Sequence, residues 1–136
     1  KIKEYAKQKN IDSHLIFTDK ISNASAINIQ FDAFLLTSQR EGGPTSVLEA
    51  MLLGIPVVST EVGVVPDAIN DGVNGFLAPI KDYKTLAEKL QVLLSDKNLQ
   101  QNFSEKSRQI IEANFTSEVI SRKTKEEYEN MLSKKF

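Results

Sequence analysis

A chain of 136 residues, 40% hydrophobic and 26% charged, can bury one core and has the ordinary balance of a soluble globular domain. Its 17 Lys and Arg against 18 Asp and Glu give a formal charge of -1, and with no basic stripe and few aromatics this argues against a nucleic-acid partner. The absence of cysteine excludes disulfides and thiolate zinc sites and no metal is expected; no apolar run approaches the roughly 20 residues of a bilayer span, and residues 1–10 lack a signal-peptide core.

Taken in order, Ile2, Tyr5 and Ala6 sit one turn apart among polar residues and predict the end of an amphipathic helix closing at Asn10. Residues 14–17 are a short apolar run between polar residues, the pattern of a buried strand. His14, the one histidine, stands alone at its entrance and reads as structural or exposed. A helix is expected over residues 21–30 and a second strand over 33–37, ending where a glycine-rich stretch begins.

That stretch, SQREGGPTSVLEAMLLGIPVVST over residues 38–60, carries the most chemistry. Gly42 and Gly43 loosen the backbone, Pro44 suits a first helical position, and Thr45 and Ser46 supply free amides and hydroxyls. The helix start thus predicted presents open N–H groups and the positive end of the helix dipole to an anion such as phosphate. From Val47 to Leu53 every side chain but Glu49 is apolar, which predicts a helix buried nearly all round. An ionised carboxylate there needs polar partners, so Glu49 is expected to face a cleft. Gly54 and Pro56 close the helix and Val57 and Val58 open the next strand.

Beyond Thr60, a loop with a short helix near residues 66–69 and turns at Asp71-Gly72 and Asn74-Gly75 leads to a last strand at residues 76–78. Asp82 is placed to cap a helix with Leu86, Leu90, Leu93 and Leu94 on one face, and Leu99, Phe103, Ile110 and Ile111 mark another. Thr116 or Ser117 opens a last helix with Ile120, Tyr128, Met131 and Leu132 inward and Arg122, Lys123 and Lys125 outward. Four strands and about seven helices alternate in the manner of an α/β, Rossmann-like doubly wound parallel sheet, whose ligands bind outside the strands' carboxyl ends. No linker divides residues 1–136, so they read as one domain.

The Glu41-x7-Glu49 pattern within SQREGGPTSVLEAMLLGIPVVST, followed by VGVVPDAINDGVNGFLAP, resembles the signature of retaining GT-B glycosyltransferases of the family 4 group. The resemblance implies the nucleotide-sugar-binding C-terminal domain, truncated at its start, of an enzyme that moves a sugar from a UDP- or GDP-linked donor to a glycan or lipid-linked acceptor. Glu49 would hold the ribose hydroxyls, and Glu41 would contact the transferred sugar at the reacting centre as nucleophile, charge stabiliser or binding group. Gly42, Gly43, Thr45 and Ser46 would offer amides to sugar and phosphate, which Pro44 cannot. No cofactor is expected.

The same resemblance implies a missing acceptor-binding N-terminal domain, missing phosphate-binding Arg and Lys upstream, and an isolated piece that is inactive; unpaired apolar strand edges would leave it poorly soluble or only marginally folded. The whole protein would be cytoplasmic, with peripheral contact at the inner face of the membrane. In the strand order 3-2-1-4-5-6, residues 14–17 would be the third strand, cut off from its neighbour, while the other three pair in sequence order. One departure stands out: Gly63-Val64-Val65-Pro66-Asp67 replaces two glycines followed by Pro-Glu. The competing readings are a non-catalytic nucleotide or sugar-phosphate module, a GT-B-like sugar-nucleotide epimerase and a plain interaction domain; a dinucleotide oxidoreductase lacks its Gly-x-Gly-x-x-Gly turn.

Overall fold

The computed structural model describes residues 1–18 and 29–133. Three short strands, β1 (Phe34–Leu36), β2 (Val57–Thr60) and β3 (Phe76–Ala78), pair in parallel in the order β1-β2-β3. Parallel neighbours require crossovers, and the chain supplies them as helices. Helix α1 (Ile2–Gln8) and a 3-10 turn (Asp12–His14) precede β1; α2 (Thr45–Leu52) joins β1 to β2; α3 (Val65–Ala68) lies between β2 and β3. The helices α4 (Tyr83–Ser95), α5 (Lys97–Asn114) and α6 (Ser117–Ser133) follow.

The sheet is buried on both faces, and the alternation of side chains sorts β2 and β3 between two cores. Val57 and Leu77 point to one face, where Val47, Ala50 and Met51 of α2 and Val65 and Ala68 of α3 pack; Ile111 of α5 closes that cluster. Val58 and Ala78 point to the other, against Leu86 and Leu93 of α4 and Phe103 of α5. Phe103 is wholly buried and meets Phe76 edge to face, with ring centroids 5.0 Å apart and planes at 77°. Helices on both faces of a parallel sheet make the doubly wound α/β arrangement that the alternation of elements predicts.

Local chemistry fixes the element ends. Gly54 takes φ +74° after α2, its N–H donating to Met51 O at 3.0 Å and that of Ile55 to Ala50 O at 2.9 Å, a paired C-terminal cap that needs a left-handed residue. Asp82 accepts from Thr85 N at 3.0 Å at the start of α4, as its position predicts, and Asp96 does the same for α5 from Leu99 N at 3.0 Å. Asn74 lies in the turn expected there and is also a buried polar knot. Its Oδ1 accepts from Asn70 N at 2.7 Å, its Nδ2 donates to Ala68 O at 2.9 Å, and Ser107 Oγ of α5 donates to its carbonyl at 2.6 Å.

Two expectations are corrected, on a strand and on the faces of the end helices. Residues 14–17 are not a strand: His14 ends the 3-10 turn, the following residues pair with nothing in the sheet, and Ile16 is 92% exposed. Helix α6 buries no residue, and Ile120, Tyr128, Met131 and Leu132, expected inward, are all exposed; so are Ile2 and Tyr5 of α1. Apolar spacing marks a face, but burial needs a surface to meet it. The helix expected over residues 21–30 lies outside the described residues except for its last two positions, which form a turn. Among the described residues no helix is long and apolar enough to cross a membrane.

The loop before β3 is tied to α4 by an ion pair. Lys89 Nζ donates to both Asp71 oxygens, at 2.8 and 2.7 Å, and Leu77 N donates to Asp71 Oδ1 at 2.8 Å. Partial burial pushes the Asp71 carboxyl up, but the hydrogen bonds from Lys89 and Leu77 and the charge of Lys89 outweigh it and hold it below its ordinary value. A depressed carboxylate stabilises the fold above its unfolded pKa and loses that contribution as pH falls through the folded value. Asn at this position keeps the acceptor for Leu77 but not the charge. Asp71→Asn is therefore expected to cost under about 1 kcal/mol at neutral pH, because the pair is half exposed and screened. In thermal melts the gap to wild type should close as pH drops below about 4.

Candidate functional site

The carboxyl ends of all three strands open on one cleft of about 460 Å³, lined by Gln39, Arg40, Glu41 and Gly42 after β1, Glu61, Val62 and Gly63 after β2, and Ile80 after β3. This is where a doubly wound sheet places ligands. Its first rim is cross-braced. Thr60 Oγ1, at the end of β2, donates to Ser38 O at 2.7 Å, and Ser38 Oγ donates to Glu41 Oε1 at 2.7 Å. Gln39 Nε2 donates to the Tyr83 hydroxyl at 3.0 Å, anchoring the same loop to the start of α4. One carboxylate oxygen of Glu41 is thus held by a neighbour, leaving the other for a ligand.

The second rim is set by Gly63. Its φ is +53°, and a Cβ there would stand 2.8 Å from both Glu41 O and Gly42 O. Only a residue without a side chain lets the turn after β2 lie directly on the loop that carries Glu41. Gly42 and Gly43 have open space at their Cβ positions, so no such close approach explains them.

The remaining expected residues lie along α2. The helix begins at Thr45, with Pro44 one position earlier as its cap rather than within it. Among the described residues no side-chain oxygen caps this end, and the first-turn N–H groups of Thr45 and Ser46 have no partner within the helix. Thr45 is exposed and Ser46 half-buried. The structure brings Glu41 and Gly42 together in the cleft; Gly43, Thr45, Ser46 and Glu49 lie outside its lining.

Glu49 corrects its expectation. The helix is not buried all round: Val47, Ala50 and Met51 face the core, while Glu49, Leu52 and Leu53 are exposed. Among the described residues the Glu49 carboxylate takes no hydrogen bond, so no desolvation cost requires the polar cleft that its apolar neighbours implied. Arg40, Glu61 and Gly63 also line the cleft and are not among the residues that the sequence singles out for a site. The signal for Glu61 was available, since it follows β2 directly, as the Glu41 loop follows β1.

A cleft of mixed charge at the ends of parallel strands, beside a helix start with open amides, lies where doubly wound domains bind their ligands. Comparison supplies the family: the family model described as glycosyl transferases group 1 matches residues 1–110, and the chain belongs to it. Over 119 residues it is 32% identical to the N-acetyl-alpha-D-glucosaminyl L-malate synthase of Bacillus anthracis, covering 88% of this chain and 31% of that protein. It is 26% identical to the capsular polysaccharide biosynthesis glycosyltransferase CapM of Staphylococcus aureus, with the same coverage of each.

Among solved structures, the C-terminal domain of the glycosyl transferase group 1 protein LpcC of Francisella tularensis superposes with a TM-score of 0.77 at 27% identity, covering 85% of this chain and 61% of that one. HepE of Anabaena in complex with UDP superposes with a TM-score of 0.87 over 95% of this chain and 36% of that one; at 21% identity this likeness is one of fold. The chain spans about a third of the length of the curated relatives it matches.

Proposed function

We propose that this chain is the donor-binding domain of a GT-B glycosyltransferase that transfers a sugar, with retention, from a UDP- or GDP-linked donor to a glycan or lipid-linked acceptor held by an N-terminal domain. The observation that carries this reading is the placement of Glu41 and Gly42 in the cleft at the carboxyl ends of β1, β2 and β3, one helix start away from the open amides of α2. A nucleotide sugar has a diphosphate between two hydroxyl-bearing rings, and the motif offers amides between two carboxylates. Thr45 and Ser46, with the Gly42 and Gly43 backbone, bind the diphosphate and sugar. Glu41 meets the transferred sugar, where a fixed negative charge favours the positive charge that grows on the ring as the nucleotide leaves. The reaction is cytoplasmic, with the whole protein in peripheral contact with the membrane.

Glu49, exposed on α2 and without a partner among the described residues, accepts the ribose hydroxyls. In the full-length protein Glu49→Ala is expected to weaken UDP or GDP binding by about 1.5–3 kcal/mol, the loss of hydrogen bonds to a charged acceptor. Calorimetric titration with each nucleotide measures this directly. Unchanged affinity would remove Glu49 from the ribose site. If the wild-type protein bound neither nucleotide nor any sugar derivative of them, the donor-binding reading itself would fall.

A further inference from the structure

We propose that Glu61 is a second sugar-binding carboxylate of this cleft, accepting hydrogen bonds from hydroxyls of a neutral sugar that Glu41 addresses from the opposite rim. This rests on the donor-binding reading and extends it to a residue outside the glutamate motif.

Glu61 is the first residue after β2, and Glu41 lies in the loop after β1. The two strands are parallel neighbours, which places their ends about 4.8 Å apart before the chains diverge. The backbone of Glu61 is fixed on both sides. Its N–H donates to Ala78 O of β3 at 3.1 Å, and the next residue, Val62, donates to Thr60 O at 2.9 Å. Two residues further on, Gly63 rests against Glu41 O and Gly42 O. The rims carrying the two carboxylates are therefore locked to each other, and the spacing between them is a property of the fold.

The side chain of Glu61 does no comparable structural work. It is exposed, lines the cleft, and among the described residues forms no hydrogen bond or ion pair. Asp71, Asp82 and Asp96 each hold a loop or a helix end, so their carboxylates are spoken for. Arg40 lines the same cleft without pairing to Glu41 or Glu61. A carboxylate fixed at its backbone and open at its oxygens is a bidentate acceptor for a sugar diol. With two carboxylates and one guanidinium around it, the cleft carries a net negative lining and favours a neutral sugar over a uronic acid.

The test uses the full-length protein with Glu61→Gln and Glu61→Ala, its preferred nucleotide sugar and its acceptor. Thermal melting at the wild-type temperature, expected for an exposed side chain, shows that the variants are folded. A KM for the nucleotide sugar raised roughly ten- to hundredfold, with affinity for the free nucleotide unchanged, is the expected result and places the hydroxyls on the transferred sugar. A rise confined to the acceptor KM would overturn the proposal, since it moves Glu61 to a sugar that Glu41 does not address. Unchanged KM values for both, or a loss of affinity for the free nucleotide, would overturn the proposal while leaving the donor-binding reading intact; a wild-type protein that binds no nucleotide or nucleotide sugar overturns both.

Discussion

Glu41→Gln in the full-length protein is expected to lower kcat by about two orders of magnitude or more while affinity for UDP or GDP stays at the wild-type value. Gln has the shape of Glu and keeps an oxygen for the Ser38 hydroxyl, which now donates to Oε1 at 2.7 Å, so the brace through Thr60 survives. Only the charge is lost. A charge that matters to the transition state and not to the nucleotide changes kcat and leaves ground-state nucleotide binding alone. Steady-state kinetics on the variant, paired with calorimetry, separate the two. Normal turnover would take Glu41 out of the reacting centre, and an equal loss in nucleotide affinity would move it to the nucleotide subsite.

How far the sequence was legible depended on whether each signal was local. The caps at Asp82 and Thr116, the left-handed close at Gly54 and the parallel alternation of strand and helix all follow from residues near one another in the chain, and each is where it was expected. So is the glutamate loop at a strand's carboxyl end. Residues 14–17 are not a strand because an apolar run becomes one only beside a partner, and none of the described strands pairs with it. The outer faces of α1 and α6 failed for the same reason. In α2 an apolar composition hides an amphipathic orientation, so the cleft expected around Glu49 rests on a desolvation cost that an exposed carboxylate does not bear. Its proposed role now rests on the resemblance and the family. The role of Gly63 is not legible in the sequence because it is a contact between two loops about 20 positions apart in the chain, which spacing cannot express.

Gly63→Ala is expected to destabilise the protein by about 2–4 kcal/mol and to cut turnover along with it. Two costs add at this position. A left-handed φ of +53° disfavours any L side chain, and the new Cβ would sit 2.8 Å from two backbone carbonyl oxygens, which cannot swing aside as a side chain would. The loop that yields is the one carrying Glu41 and Gly42, so the strain is relieved at the site. Val64, where the resemblance implies a second glycine, has φ -82°, a value open to any residue, so the left-handed strain is confined to Gly63. Gly42→Ala is the matched control. Its Cβ meets nothing within 4 Å, so its stability should stay within about 0.5 kcal/mol of wild type. Denaturant titrations of the two variants, read as shifts in midpoint at constant slope, measure the difference. If Gly63→Ala unfolds at the same midpoint as Gly42→Ala, the contact between the two rims contributes nothing, and the fixed spacing of Glu41 and Glu61 loses its physical basis.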